Sequence, residues 1–131
     1  MAKIIHSMIR VKDLEPSLTF YKQALGLDIA EQLDFDGFSL VYLRNEENDM
    51  ELELTWNEGA EEPYTHGSGY GHIAVAVDDL ETEHKKLTAL GYEPAEIKEF
   101  FRNGELLAKF FFVQDPDGYK IEFLWRHGRY Q

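Results

Sequence analysis

The sequence predicts an α+β fold made of two tandem βαβββ modules. Three observations carry that expectation. Apolar alternation and helical periodicity follow one another in the order strand, helix, three strands over the first half; the pattern restarts in the second half; and each half opens on a His-bearing strand and closes on a Glu-bearing one. A chain of 131 residues with 44% hydrophobic content suits one domain better than two independent cores. The expected division is residues 1–57 as the first module, 58–70 as a linker and 71–127 as the second module.

From Lys3 to Val11 the side chains alternate, with Ile5, Ser7 and Ile9 on one face and His6, Met8 and Arg10 on the other. Asp13 is set as an N-cap, and Pro16 is tolerable in a first helical turn. Leu14, Leu18, Tyr21 and Leu25 then recur at helical spacing up to Gly26, a C-cap glycine. Asp28 to Asp34 reads as a weak strand, Asp36-Gly37 as a turn and Phe38 to Leu43 as a stronger strand. After the polar turn at Asn45 to Asp49, Met50 to Trp56 places Glu51, Glu53 and Thr55 opposite Leu52, Leu54 and Trp56.

Asn57 to Ser68 lacks apolar periodicity and carries Gly59, Pro63 and Gly67, so it reads as a loop. Then His72 to Glu81 lies on His6 to Glu15 with the His, Val, Asp, Leu and Glu identical, and Ala89-Leu90-Gly91 lies on Ala24-Leu25-Gly26. Lys120 to Trp125 lies on Glu51 to Trp56, which sets Glu122 on Glu53. A turn at Asp115-Pro116-Asp117-Gly118 precedes that last strand, in which Tyr119, Ile121, Phe123 and Trp125 oppose Glu122.

The net charge of −12, with no local basic run, argues against nucleic acid or an anionic membrane as partner. No apolar run reaches the length of a membrane span or a signal sequence, so a soluble, cytoplasmic protein is expected. Cysteine is absent, so any metal must be held by His, Asp, Glu or carbonyl groups.

The repeat singles out His6, Glu53, His72 and Glu122. Two imidazoles and two carboxylates suit a divalent transition metal with positions left for water, and a carboxylate beside such a metal can act as a base. The competing reading is four unrelated polar residues on wet strand faces. His66, His84 and His127 read as packed or solvated, with His127 in a loose tail. Trp56, Trp125 and Phe110 to Phe112 read as core or interface aromatics.

The stretches Ile5 to Leu14, Phe20-Tyr21, Glu53-Leu54-Thr55-Trp56-Asn57, Gly71 to Ala74 and Asp115 to Glu122 closely resemble the glyoxalase I (lactoylglutathione lyase) family of the vicinal oxygen chelate, or glyoxalase/bleomycin resistance, superfamily. The resemblance covers nearly the whole chain. It implies paired βαβββ modules, a homodimer with active sites in the interface, and His6 and Glu53 of one chain joining His72 and Glu122 of the other around one divalent metal per site. It also implies isomerisation of the methylglyoxal–glutathione hemithioacetal to S-lactoylglutathione through an enediolate. Glu122 is then the leading base, Glu53 its counterpart, and Arg10 and Asn57 hold the glutathione portion.

Zinc-using members commonly carry Gln where this chain has His6, so it is similar to the shorter bacterial type, for which Ni²⁺ or Co²⁺ is favoured over Zn²⁺. An arginine of many members falls on Ser68, and a Gly-rich segment is replaced by Lys98 to Gly104, which leaves the thiol open. The other readings are a non-catalytic binding protein of the bleomycin-resistance type, or a superfamily epimerase or dioxygenase.

Overall fold

The computed structural model describes residues 1–131. It contains two compact units, Met1–Thr65 and His66–Gln131. The first has β1 (His6–Val11), α1 (Leu14–Leu25), β2 (Asp28–Phe35), β3 (Phe38–Arg44) and β4 (Glu51–Asn57). The second has β5 (Ile73–Val77), α2 (Leu80–Ala89), β6 (Lys98–Arg102), β7 (Glu105–Gln114) and β8 (Lys120–Trp125). The two sheets share one topology, β1-β4-β3-β2 and β5-β8-β7-β6. In each, the first strand runs parallel to the last and the remaining pairs are antiparallel. This is the βαβββ repeat that the sequence predicts.

Alternation explains which sheet face is packed. Ile9, Val11, Val41, Leu43, Leu52 and Leu54 point to one side of the first sheet and are buried, as are Phe20, Tyr21 and Ala24 of α1. In the second unit Phe111, Val113, Ile121 and Phe123 do the same, with Leu80 and Leu87 of α2. Phe111 stacks on Phe123 at 4.9 Å and meets the His84 ring edge-on at 5.0 Å. His84 also contacts the Ala95 carbonyl at 2.9 Å, the packed alternative of the two roles, packed or solvated, read for it from sequence. Edge strand β2 is exposed throughout and carries a bulge between Ile29 and Glu31.

Helix α1 stops at Gly26, whose φ of 67° lets its amide reach the Lys22 carbonyl while Leu27 N–H reaches Tyr21. The start of α1 corrects an expectation. Asp13 occupies the N-cap but its side chain caps nothing, whereas Asp79, its counterpart before α2, accepts a hydrogen bond from Thr82 N–H at 3.0 Å. The residue three positions past Asp13 is Pro16, which has no N–H to donate. The tail is a second correction. His127 stacks on Trp125 at 4.6 Å, contacts the Leu106 carbonyl at 3.2 Å and exchanges backbone hydrogen bonds with Tyr130, so it is tied down. No helix is long and apolar enough to cross a membrane.

The turn before β8 is closed by Asp115. Its carboxylate accepts from the Asp117 and Tyr119 amides, both at 2.9 Å, and Gly118 takes the positive φ of 83° that the turn needs. Asp115 is only 5% exposed. Replacing it by Ala orphans both amides, and at about 1–3 kcal/mol each the expected loss is about 2–6 kcal/mol. Urea unfolding of Asp115→Ala should show it as a lower midpoint with an unchanged slope.

Candidate metal centre

Parallel pairing of β1 with β4 sets His6 opposite Glu51, one residue pair from Met8 and Glu53 on the same face. The His6 imidazole reaches diagonally to Glu53, with Nε2 3.5 Å from Oε1. In the second unit His72 lies just ahead of β5, and its Nε2 is 2.7 Å from Oε2 of Glu122. Each unit therefore gathers one imidazole and one carboxylate at equivalent places in the repeat. The carboxylates are sunk into the sheet, at 9% and 15% side-chain exposure, while the imidazoles stand open at 37% and 43%.

The donor chemistry fits a divalent metal. Donor atoms at adjacent corners of an octahedron with bonds of about 2.1 Å lie about 3.0 Å apart. The observed spacings, 3.5 Å and 2.7 Å, fall on either side of that value. Two protein donors fall short of the three or four that hold such an ion. The structure brings the four sequence-predicted ligands together as two pairs, and no group of three or more His, Asp or Glu side chains is close enough to bind a metal.

The walls of the two half-sites match in shape and differ in chemistry. Tyr42 lies opposite Glu53 in the β3–β4 ladder and meets the His6 ring edge-on at 5.6 Å. Phe112 lies opposite Glu122 in the β7–β8 ladder and meets the His72 ring edge-on at 5.3 Å. Glu53 accepts a hydrogen bond from Thr55 Oγ1 at 2.8 Å, and both residues are buried, 7% exposed. The Tyr42 hydroxyl also hydrogen-bonds Glu53, and that bond, followed by desolvation and nearby carboxylates, pushes the phenol above its ordinary 10.0. The competing reading of a wet strand face does not hold for Glu53, which is buried with Thr55 beside it. Neither Thr55 nor Tyr42 was among the residues singled out by sequence. The i, i+2 spacing of Thr55 from Glu53 signals the first contact, whereas Tyr42 needs the strand register.

Arg10 and Asn57 sit at the far end of the face that carries His6 and Glu53. Arg10 pairs with Thr55 in the β1–β4 ladder and is exposed; Asn57 pairs with Phe38 and is half-buried. In the second unit Phe112 also lines an open cleft of about 590 Å³ whose polar wall includes Glu93, Gln114 and Lys120.

Comparison with known proteins agrees with the fold. Residues 3–123 match the Glyoxalase/Bleomycin resistance protein/Dioxygenase superfamily. The lactoylglutathione lyase of Haemophilus influenzae is 37% identical over 127 residues, covering 93% of this chain and 91% of its own. That of Neisseria meningitidis is 37% identical over 126 residues, covering 93% and 89%. Among solved structures, the trypanothione-dependent glyoxalase I of Leishmania major superposes with a TM-score of 0.75 at 35% identity, covering 95% of this chain and 86% of that one.

The Tyr42 hydroxyl bond is open to direct test. Because folding raises the phenol's titration point, the stabilisation it brings is complete below pH 10 and is lost as pH rises through the folded-state value. Ultraviolet titration of the wild type should show Tyr42 ionising late, as a step beside those of Tyr70 and Tyr92, whose phenols burial also raises. That late step should vanish in Tyr42→Phe and move to lower pH in Glu53→Gln.

Proposed function

The chain belongs to the Glyoxalase/Bleomycin resistance protein/Dioxygenase superfamily, and we propose that it is a metal-dependent lactoylglutathione lyase, a glyoxalase I. Its reaction is isomerisation of the methylglyoxal–glutathione hemithioacetal to S-lactoylglutathione through an enediolate. The observation that carries this reading is the repeated His–Glu pair, His6 with Glu53 and His72 with Glu122, at matching positions of two modules.

His6, Glu53, His72 and Glu122 would hold one divalent ion, Ni²⁺ or Co²⁺ in preference to Zn²⁺, which supplies Lewis-acid stabilisation of the charge that builds on the substrate oxygens. Glu122 takes the proton from the carbon bearing sulfur as its C–H bond breaks, and returns it to the neighbouring carbon to complete the thioester. Glu53 stands as its counterpart across the substrate. Arg10 and Asn57 bind and orient the glutathione portion, the guanidinium being suited to pairing with a carboxylate. A cytoplasmic setting, where thiols stay reduced, belongs to the same proposal.

Since one unit supplies two donors, a complete site takes both modules. We assign that pairing to a homodimer in which His6 and Glu53 of one chain meet His72 and Glu122 of another. Exposed Ile4, Ile5 and Met8 beside His6 support an assembly that covers this edge.

Two experiments test the reading. Metal-free protein given Ni²⁺, Co²⁺ or Zn²⁺ should form thioester from methylglyoxal and glutathione, and Glu122→Gln should cut kcat by about 10²–10⁴-fold. Lack of turnover with glutathione or any other thiol, with Glu122→Gln indistinguishable from wild type, would sink the assignment. For the assembly, a chain lacking His6 and Glu53 is unfolded and refolded with a chain lacking His72 and Glu122. Sites shared between chains regain activity in the mixture, one intact site per mixed dimer; sites closed within a chain stay inactive.

A further inference from the structure

The two carboxylates of the repeat occupy equivalent positions and have unequal surroundings. Glu53 is gripped by the Thr55 hydroxyl at 2.8 Å and by the Tyr42 hydroxyl from the facing strand. Both donors lie on elements of the sheet itself, and Thr55 is buried. In the second module the matching positions are Leu124, two residues past Glu122, and Phe112, opposite it in the ladder. Neither has a hydroxyl. The polar side-chain contact of Glu122 is His72, at 2.7 Å, and that imidazole stands 43% exposed.

We propose that Thr55 and Tyr42 are positioning residues that lock the Glu53 carboxylate as a fixed metal ligand, while their apolar counterparts Leu124 and Phe112 leave Glu122 free to swing. The inference rests on the function proposed above and adds how one repeated carboxylate is made static and the other mobile. A carboxylate has about four lone-pair sites, so two hydroxyl donors leave room for an ion while removing most of the freedom of the side chain. Hydrogen bonds of this kind orient metal ligands, and losing one typically costs about 10–100-fold in metal affinity. A residue that carries a proton between adjacent carbons must shift during the reaction, which a carboxylate held by two hydroxyl donors does poorly. Phe112 keeps the aromatic wall beside His72, so the difference from Tyr42 is confined to one oxygen.

The test uses Co²⁺ titrated into the full-length metal-free protein, read by visible absorption and affinity, with kcat and KM measured on the same samples. Thr55→Val with Tyr42→Phe should weaken Co²⁺ binding about 10–100-fold and alter the absorption bands, with thermal melting close to wild type. Thr55→Ser should restore affinity and spectrum, which a packing role for the threonine methyl would not do. The converse change, Phe112→Tyr, gives Glu122 the donor that Glu53 has. It should leave Co²⁺ affinity equal or tighter and lower kcat severalfold with little change in KM. Wild-type Co²⁺ affinity and spectrum in the Thr55→Val, Tyr42→Phe double variant, or full kcat in Phe112→Tyr, overturn the inference while the lyase assignment stands. A wild type that neither binds Co²⁺ nor turns over overturns both.

Discussion

Everything at the candidate site depends on the parallel pairing of the first and last strands of each unit. β1 and β4 are separated by a helix and a hairpin, as are β5 and β8, and only their side-by-side register brings a histidine at or just before the start of one to a glutamate on the other. Side chains alternate with a period of two, so a one-residue slip of β4 or β8 would turn its glutamate into the packed face and bring a leucine or phenylalanine out. Burial of Leu52, Leu54, Ile121 and Phe123 makes that slip costly. The core therefore enforces the register, and the register builds the His–Glu pair. The Asp115 turn adds a local constraint at the point where β8 begins.

Repetition makes a second pair of the same geometry without new architecture, and divergence then acts on neighbours. The rings of Tyr42 and Phe112 take the same edge-on stance against their histidines, 73° and 80° between planes. Thr55 and Leu124 are both buried beside the glutamates. What separates the half-sites is two hydroxyl groups set against equivalent carboxylates. A reaction needing one ligand that stays and one that moves can be accommodated this way, since the difference lies in side-chain chemistry and leaves the two scaffolds alike.

Much of this was legible in the sequence because the relevant signals are local or repeated. Glu53 and Glu122 announce their face by alternation with leucine, isoleucine and phenylalanine; His6 and His72 are matched by the repeat; Gly26 marks the end of α1 at the place the structure ends it. What escaped depends on neighbours from other strands or on an absent atom. Tyr42 meets Glu53 only through the β3–β4 register, and nothing in its own segment points to a carboxylate. The burial of Glu53 and Thr55 was not legible, because alternation tells which side a residue faces and nothing about what shelters that side. Asp13 carries the right residue type for a cap and fails because Pro16 has no hydrogen to give.

The charge of the chain bears on the ligand as well as on the partners. A net charge of −12 opposes the approach of any anion, a small anionic substrate such as the proposed glutathione adduct as well as nucleic acid. The two differ in how the repulsion is met. A polyanion needs many basic contacts, and this surface has no basic run to supply them. A small anion needs one or two, and at physiological salt charges farther than about 8 Å are largely screened, so the nearest groups decide. In the proposed function Arg10, on the His6 and Glu53 face, would supply one such group and a bound divalent ion another. Acidity overall is therefore compatible with an anionic substrate at this site, provided that the local positive charge lies within a few ångströms of where the substrate carboxylates sit.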